Sequence, residues 1–451
     1  MTTVTKSEKP VLDLAPFKIL RTSKKPFVAA IPGSKSYTNR ALILASQRIG
    51  RTELVGALHC EDTDLLAACL NSFGGLSAVK TSDGFVVERT SEVLQAPAEP
   101  VYVGGGGTPA RLLIAFAVSA EGDTIIDGNA RLRERPMGDL LTALTGMGVR
   151  YTCLGQPGCL PVKISGGRIG TTKWSVSGAK SSQFLTSLLL AAAQQDRPIT
   201  IEVEGDLVSK SYVEMTLYMM RQVGLQVETF ELKKFVVQPG VPVSDRINVE
   251  VDASAMSYFL GAAALTGTTV LIPGIAQASK QGDAGLATLM EEMGCTVLWR
   301  PEGLQLTGRP LTGLVADMDT MPDTVLTLAV VASQATSATR VTGIANLKIK
   351  ECDRIHAIAA ELNRLGVPAV GADDFVEVTP SRRIVSATVS TYNDHRVAMA
   401  FSLLGLIHDG VRIEDPACVE KSFPSFWREL SRFVNHHNAA VMSVETSEVP
   451  A

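Results

Sequence analysis

The sequence predicts an α/β protein built from one supersecondary unit that occurs six times. Two helix patterns alternate along the 451 residues, and short runs rich in β-branched residues separate them. Each helix pattern returns about every 70 residues, the kind of spacing expected of a repeated unit. One unit follows the order strand, helix, strand, helix, strand, strand. Six such units divide most simply into two similar lobes of three units each.

The two helix patterns differ in the surface that they offer to a core. The first is rich in Ala and Leu on all sides, as in SSQFLTSLLLAAA, and is predicted to be buried. The second is amphipathic and usually ends in Gly, as in CDRIHAIAAELNRLG, and is predicted to face solvent on one side. The first pattern begins near Asn39, Pro109, Ser181, Ala253, Pro322 and Asp394, and the second near Glu61, Arg135, Tyr212, Gly282, Cys352 and Lys421.

Short β-branched runs between the helices give the strands and suggest where the lobes divide. The strand candidates are TIIDG, RPITIEVEG, TTVLIPG, ATRVTGIA, FVVERT, FVVQPG, LQLTG and FVEVT. We expect a first lobe over 33–246 and a second lobe formed by 1–32 together with 247–435. The segment 436–451 loses its periodicity and is expected to be a disordered tail.

Composition excludes several classes of function. A net charge of -4 and an aromatic content of 5% argue against a nucleic-acid partner, and no apolar run is long enough to span a bilayer. The seven scattered cysteines show neither disulfide nor zinc spacing, which suits a reducing compartment. The polar start MTTVTKSEKP lacks the apolar region of a signal peptide. These features predict a cytoplasmic location and no membrane partner.

Basic and hydroxyl residues collect where the predicted helices begin. The segment PGSKSYTNR places Lys35, Ser36 and Arg40 at one such start, and GGGGTPAR, ARLRERP, LKIKECDR and YNDHR follow the same rule. Helix N-termini attract anions through their unsatisfied N–H groups and their dipole. A simpler interpretation is that each charge is solvated or each acidic residue only caps its helix, as for Asp252 and Asp323. The recurrence in five of six units favours a shared anion site.

These motifs, in this order, resemble those of the enolpyruvyl transferase family. The resemblance covers about residues 16 to 433 and rests on PGSKSYTNRALILA, ARLRERPMGDL, SSQFLTSLLLAA, SKSYVEMTL, DASAMSYFL, MPDTVLTLA, LKIKECDRI, YNDHRVAMAFSLL and EKSFPSFW. It implies two similar lobes, each an inside-out α/β barrel of three βαβαββ units with buried helices, and a substrate cleft between the lobes.

The resemblance also implies a reaction. The enzyme would transfer the enolpyruvyl group of phosphoenolpyruvate to the 5-hydroxyl of shikimate 3-phosphate, through a tetrahedral intermediate that loses phosphate. This is the sixth step of the shikimate pathway to chorismate and the aromatic amino acids, in the family that glyphosate targets. Neither a metal nor an organic cofactor is implied, and a monomer is expected.

Carried over by position, the resemblance assigns the site residues. The catalytic residues would be Lys35, Asp323 and Glu351, with the two carboxylates as an acid–base pair. The shikimate 3-phosphate site would use Lys35, Ser36, Arg40, Ser181, Ser182, Gln183, Ser209, Tyr212, Asp323, Asn346 and Lys350. The phosphoenolpyruvate site would use Lys35, Gly107, Arg131, Gln183, Arg354, Arg396 and Lys421.

Three residues bear on glyphosate response or on the choice of acceptor. Gly105 stands where the family usually has asparagine, which affects efficiency and glyphosate response more than fold. Tyr37 and Lys180 add bulk and charge next to the implied acceptor site, so a secondary-metabolism acceptor remains an alternative. A related transferase acts on UDP-N-acetylglucosamine but carries a reactive Cys or Asp on a loop where this chain has GNARLRERPMGDL. A weakly active paralogue that only binds phosphorylated metabolites would be expected to lack a site carboxylate or cation.

Overall fold

The computed structural model describes residues 9–20, 23, 25–167 and 169–439. The strands are β1 Val11–Asp13, β2 Phe27–Val28, β3 Gly50–Val55, β4 Leu76–Thr81, β5 Gly84–Arg89, β6 Leu94–Gln95, β7 Val101–Tyr102, β8 Ala120–Glu121, β9 Asp123–Asp127, β10 Arg150–Cys153, β11 Val162–Ser165, β12 Lys173–Ser177, β13 Ile199–Glu204, β14 Val227–Phe230, β15 Lys234–Val237, β16 Arg246–Asn248, β17 Thr269–Pro273, β18 Thr296–Arg300, β19 Gly303–Thr307, β20 Val315–Asp317, β21 Thr339–Thr342, β22 Ala369–Gly371, β23 Phe375–Val378, β24 Ala387–Val389 and β25 Val411–Glu414.

The α-helices alternate with these strands along the chain. They are α1 Lys35–Ala45, α2 Glu61–Asn71, α3 Gly107–Phe116, α4 Ala130–Glu134, α5 Gly138–Gly146, α6 Ser182–Ala192, α7 Lys210–Gln222, α8 Ala253–Thr266, α9 Leu286–Glu292, α10 Val325–Ala332, α11 Arg354–Arg364, α12 His395–Ser402 and α13 Phe426–Asn438. Within these described helices, no segment is long and apolar enough to cross a membrane.

The chain forms two compact units. Of the described residues, lobe 1 comprises those within 32–253 and 278–282, and lobe 2 comprises those within 9–31, 254–277 and 283–439. The boundary expected after residue 246 lies after 253, because strand β16 pairs in parallel with β3 and thereby completes a sheet of lobe 1. Segment 278–282 also belongs to lobe 1, since the Gln281 side chain donates to Glu250 Oε2 and to Val251 O, both at 2.7 Å.

The repeated unit has the element order that the sequence predicts. In lobe 1, β12, α6, β13, α7, β14 and β15 follow one another, and β12 pairs in parallel with β13 while the remaining pairs are antiparallel. The sheets of lobe 1 have the strand orders β16-β3-β5-β4, β10-β11-β9-β7 and β12-β13-β15-β14, besides the short pair β6-β8. Those of lobe 2 have the orders β18-β19-β17-β2, β20-β21-β23-β22 and β1-β25-β24.

Helices of the Ala/Leu-rich pattern form the interior of each lobe. In lobe 1, α3 packs against both α1 and α6. In lobe 2, α8 approaches α10 so closely that a Cβ on Gly261 would lie 3.0 Å from Thr327 Cγ2. Every residue of α10 and α12 is buried, whereas α11 alternates buried and exposed positions. The predicted α/β fold with buried helices inside and sheets outside is therefore confirmed.

Two of the helix boundaries that differ from the predicted ones are explained by specific contacts. Helix α1 begins at Lys35 rather than near Asn39, because the Ser34 side chain caps it by accepting from the Tyr37 backbone N–H. Helix α13 runs to Asn438, so 436–438 are helical although the sequence predicts disorder from 436 onwards. The reason is packing against the N-terminal segment, since Leu20 N donates to Asn438 Oδ1 at 3.0 Å and Asn438 Nδ2 donates to Lys18 O at 3.1 Å. The remainder of that predicted tail, 440–451, lies outside the described residues.

Candidate active site

In lobe 1, two carboxylates fix Lys35 at the start of α1. Its backbone N–H donates to Asp252 Oδ2 at 2.9 Å, and its Nζ donates to Asp62 Oδ2 at 2.9 Å. The side chains of Lys35 and Asp62 are only 12% and 4% exposed. A largely buried ion pair restricts both groups to one geometry, so the ammonium is held in place at a helix N-terminus.

The Arg40 guanidinium connects α1 to helices α6 and α7 of lobe 1. It is 1% exposed and donates to Ser36 O at 2.9 Å and to Tyr212 O at 3.1 Å. It also donates to Thr216 Oγ1 at 2.8 Å and to Thr186 Oγ1 at 3.4 Å. Burial lowers the pKa of Arg40 to about 10. These bonds join α1 to α6 and α7 at similar heights, so the three helices begin at the same end of the lobe.

Two further arginines, Arg111 and Arg135, lie near the start of α3. Arg111 Nη1 donates to Gln183 Oε1 at 2.6 Å, which links the first turns of α3 and α6. The buried Arg135 lies against Gly107, where a Cβ would come within 2.6 Å of Arg135 Nη1. Gly107 therefore leaves room for a guanidinium at the N-terminus of a helix, where positive charge and free N–H groups favour an anion.

The other site residues predicted in lobe 1 lie at or near helix starts. Ser181 caps α6 by accepting from the Gln183 backbone N–H at 3.3 Å, and Ser182 follows it, buried. Ser209 precedes α7 with a left-handed φ of 52° and is buried. Arg131 is different, because its side chain is 43% exposed and its Nη1 lies 2.8 Å from Glu134 Oε2. An exposed pair of this kind holds the side chain only weakly.

In lobe 2, Arg354 at the first position of α11 joins three carboxylates. Its Nε donates to Asp394 Oδ2 at 2.8 Å, its Nη1 to Asp323 Oδ1 at 2.9 Å, and its Nη2 to Glu351 Oε2 at 3.0 Å. Arg354 is 1% exposed. Although burial alone would lower its pKa, Asp394, Glu351 and Asp323 raise the pKa above its ordinary value.

Asp323 lies among three positive charges just before α10. It accepts from Arg354 Nη1 and from Arg396 Nη2, the latter at 2.7 Å, and Lys350 Nζ is 3.8 Å from Oδ1. Burial would raise its pKa, but the charges of Arg396, Lys350 and Arg354 hold the pKa well below its usual range. Asp323 is therefore an ionised carboxylate in this structure.

Glu351 is held from two sides within the same network. Arg354 donates to its Oε2, and Lys421 Nζ lies 3.2 Å from its Oε1. Asn346 lies on the short helical turn Ala345–Ile349 that directly precedes Lys350. Together with Asp394, these described side chains include four cations and three carboxylates, which leaves an excess of positive charge suited to anionic ligands.

Sequence reasoning missed four residues that organise these clusters. Asp62 and Asp252 hold Lys35, Asp394 holds Arg354, and Arg135 lies against Gly107. The three aspartates lie at helix starts, where the same signal indicates an ordinary N-cap. Asp394 does cap α12, by accepting from the Arg396 backbone N–H at 2.9 Å, and it binds Arg354 as well.

The two residues that kept a modified acceptor open occupy ordinary positions in lobe 1. Tyr37 is 4% exposed and belongs to the hydrophobic core of the lobe. Lys180 is largely exposed, and its Nζ donates to Asp139 Oδ1 at 3.0 Å. Tyr37 thus adds no bulk at the surface of the lobe, and Lys180 forms a surface pair.

Comparisons with known proteins identify the family of the chain. The sequence model of EPSP synthase (3-phosphoshikimate 1-carboxyvinyltransferase) matches residues 27–430. The 3-phosphoshikimate 1-carboxyvinyltransferase of Colwellia psychrerythraea is 37% identical over 407 residues, which cover 89% of this chain and 95% of that protein. A protein of the same name from Escherichia coli is also 37% identical over 407 residues, which cover 89% of this chain and 95% of that protein.

Solved structures with a similar fold come from the same family of enzymes or share its fold. A structure of EPSP synthase from Acinetobacter baumannii has a TM-score of 0.75 and 26% identity, covering 92% of this chain and 97% of that one. The enolpyruvyl transferase NikO from Streptomyces tendae has a TM-score of 0.70 at 15% identity, covering 94% of this chain and 97% of that one, and shares the fold. These matches confirm the resemblance seen in the motifs. The chain belongs to the EPSP synthase family.

Proposed function

We propose that this protein transfers the enolpyruvyl group of phosphoenolpyruvate to the 5-hydroxyl of shikimate 3-phosphate and releases inorganic phosphate. Its membership of the EPSP synthase family supports the reaction. The observation that carries the proposal is the lobe 2 network, in which Arg354 connects Asp323 and Glu351 amid further cations. Two carboxylates and an excess of positive charge match the needs of an acid–base reaction on anionic substrates.

Phosphoenolpyruvate carries a carboxylate and a phosphate, and the proposed residues supply complementary charges. Arg354, Arg396 and Lys421 come from lobe 2. Lys35, Gly107, Arg131 and Gln183 come from lobe 1. Guanidinium groups bind such anions in bidentate fashion, and the ammonium groups stabilise the phosphate as it departs.

Shikimate 3-phosphate is assigned mainly to the helix starts of lobe 1. Ser36, Arg40 and the segment Ser181–Gln183 lie at the same end of the lobe as Ser209 and Tyr212. Hydroxyl groups and helix N-termini suit a phosphate and neighbouring hydroxyls. Lobe 2 contributes Asp323, Asn346 and Lys350 to the proposed contacts.

The proposed chemistry involves three proton transfers. The 5-hydroxyl loses its proton as its oxygen bonds to C2 of phosphoenolpyruvate, and C3 gains a proton. The tetrahedral intermediate then loses a proton from C3 and expels phosphate from C2, which restores the double bond. Asp323 and Glu351 are the groups proposed to exchange these protons. When substrate anions bind the cations around Asp323, its pKa should rise towards the range of a useful base.

The test is phosphate release from phosphoenolpyruvate in the presence of shikimate 3-phosphate, with the enolpyruvyl ether identified by NMR. We expect release only when both substrates are present, and loss of release in Asp323→Asn and Glu351→Gln. A panel that includes UDP-N-acetylglucosamine and unphosphorylated shikimate tests the acceptor. Consumption of another acceptor, with none of shikimate 3-phosphate, would overturn the assignment. Binding without any phosphate release would indicate a paralogue that only binds metabolites.

We further propose that the protein acts as a cytoplasmic monomer without a cofactor. A net charge of -4 and scattered cysteines support this location. Light scattering on the purified protein measures the mass, for which 47.9 kDa is expected, and a value near twice that would refute the monomer. Full activity after exhaustive chelation is the expected outcome for an enzyme that needs no metal.

A further inference from the structure

A strained turn in lobe 2 directly precedes the residues that hold Arg354. Tyr392 and Asn393 have φ angles of 54° and 56°, so two successive non-glycine residues are left-handed. Asparagine tolerates this region, but a bulky aromatic residue adopts it only against an unfavourable free energy. The turn closes where Asp394 N donates to Thr391 O at 2.8 Å. Other contacts must stabilise it.

Glu361 of α11 supplies those contacts. Its Oε1 accepts from Tyr392 Oη at 2.7 Å, and its Oε2 accepts from the Ser390 backbone N–H at 3.1 Å. The Glu361 side chain is 0% exposed, and Arg364 Nε donates to it at 2.8 Å. The Tyr392 ring also lies edge-on to the His356 ring, with centroids 6.4 Å apart. A buried carboxylate thus binds the turn on both sides of Thr391.

The turn determines where Asp394 lies. Asp394 follows the two left-handed residues, caps α12 and accepts from Arg354 Nε. Arg396, two residues further on, donates to Asp323. If the turn relaxed, Asp394 and the first turn of α12 would shift, and the arginines that bind through them would shift as well.

We infer that Tyr392 and Glu361 are positioning residues that hold Arg354 and Arg396 in the arrangement needed to bind the phosphate and carboxylate of phosphoenolpyruvate. This inference rests on the proposed function, because it takes those arginines as phosphoenolpyruvate ligands. A simpler role, in which Glu361 only stabilises lobe 2, predicts lower stability without a selective effect on one substrate.

Tyr392→Phe removes only the hydroxyl and is the main test, and Glu361→Gln is the second variant. We expect each to weaken phosphoenolpyruvate binding, measured by calorimetry, and to raise its KM about tenfold, the effect of one hydrogen bond to a charged acceptor. The KM for shikimate 3-phosphate should change less than twofold. Because the two residues share one hydrogen bond, the double variant should lose less than the sum of the losses in the two single variants. Tyr151→Phe, on β10 of lobe 1, is the matched control.

Three results would overturn the inference. The first is an unchanged affinity for phosphoenolpyruvate in both variants, measured on proteins whose melting temperatures equal that of the wild type. The second is an equal loss for both substrates that follows a loss of stability, which indicates a general structural role. The third is full additivity in the double variant. If the wild type binds phosphoenolpyruvate and Tyr392→Phe weakens that binding, but shikimate 3-phosphate is not consumed, the inference stands and the proposed acceptor fails.

Discussion

Replacement of Arg354 by lysine should destabilise lobe 2 strongly although the charge is kept. The guanidinium reaches Asp394, Asp323 and Glu351 from three different nitrogens, and it is 1% exposed. An ammonium group is a compact charge that cannot span the same three carboxylates. Asp394, whose side chain is 0% exposed, would then lose its main cationic partner.

The expected cost follows from this burial. Removing one partner of a buried ion pair costs about 3–5 kcal/mol, because the remaining charge is left in a poorly solvated place. For a unit of this size, about 1 kcal/mol corresponds to a melting shift of roughly 2–4 °C, so Arg354→Lys should melt roughly 10 °C lower. Differential scanning calorimetry of the full chain at neutral pH in a phosphate-free buffer measures this shift.

The matched control is Arg51→Lys on β3 of lobe 1. Arg51 pairs with Glu53, but the two side chains are 63% and 45% exposed, so the change should cost less than about 1 kcal/mol. If the melting temperature of Arg354→Lys equalled that of the control variant or exceeded that of the wild type, the network would contribute nothing to the stability of the folded lobe. The account of Arg354 as the residue that organises these carboxylates would then be refuted.

Two further predictions concern single charges. Lys35→Met should lower turnover by a factor of at least about 100 and should also lower the melting temperature, because it removes the cation that pairs with the buried Asp62 carboxylate. Lys180→Met, which breaks an exposed pair, should leave both turnover and melting temperature near wild type; a fast Lys35→Met enzyme would remove that residue from the mechanism. Because the pKa of Asp323 lies well below its unfolded value of about 3.9, its contribution to stability is present above that pH and is lost as the pH falls further. Urea unfolding should therefore show a weaker acid dependence for Asp323→Asn below about pH 4, and identical profiles would contradict the depressed pKa.

The helices could be predicted because their pattern is local. Ala/Leu-rich and amphipathic periodicities mark α6 and α11 without any knowledge of their neighbours. The start of α1 was harder, since its polar first turn hides the helix and only the Ser34 cap reveals it. The end of α13 depends on the hydrogen bonds between Asn438 and the segment Lys18–Leu20, and the lobe boundary depends on the pairing of β16 with β3. Periodicity contains no information on either tertiary contact.

The candidate site was predictable as a set of charges but not as a network. A helix start rich in Lys, Arg and Ser indicates an anion site, and family motifs assigned Lys35 and Arg354. Sequence does not tell which carboxylate binds which cation, so Asp62 could not be distinguished from the other acidic residues of α2. The family motif assigned Arg131 to the site and left out Arg135, whereas Arg131 is exposed and Arg135 is buried against Gly107.

The order in which strands enter the sheets has a consequence for synthesis on the ribosome. Strand β1 pairs with β25, and Lys18 bonds to Asp409, which lies 391 residues later. At roughly 5–20 residues per second, the N-terminal segment waits roughly 20–80 s for its partner to be translated. Lobe 1 is fully translated during that wait. A nascent chain should therefore acquire protease-resistant structure in lobe 1 first, while β1 stays available to chaperones until the C-terminal strand emerges.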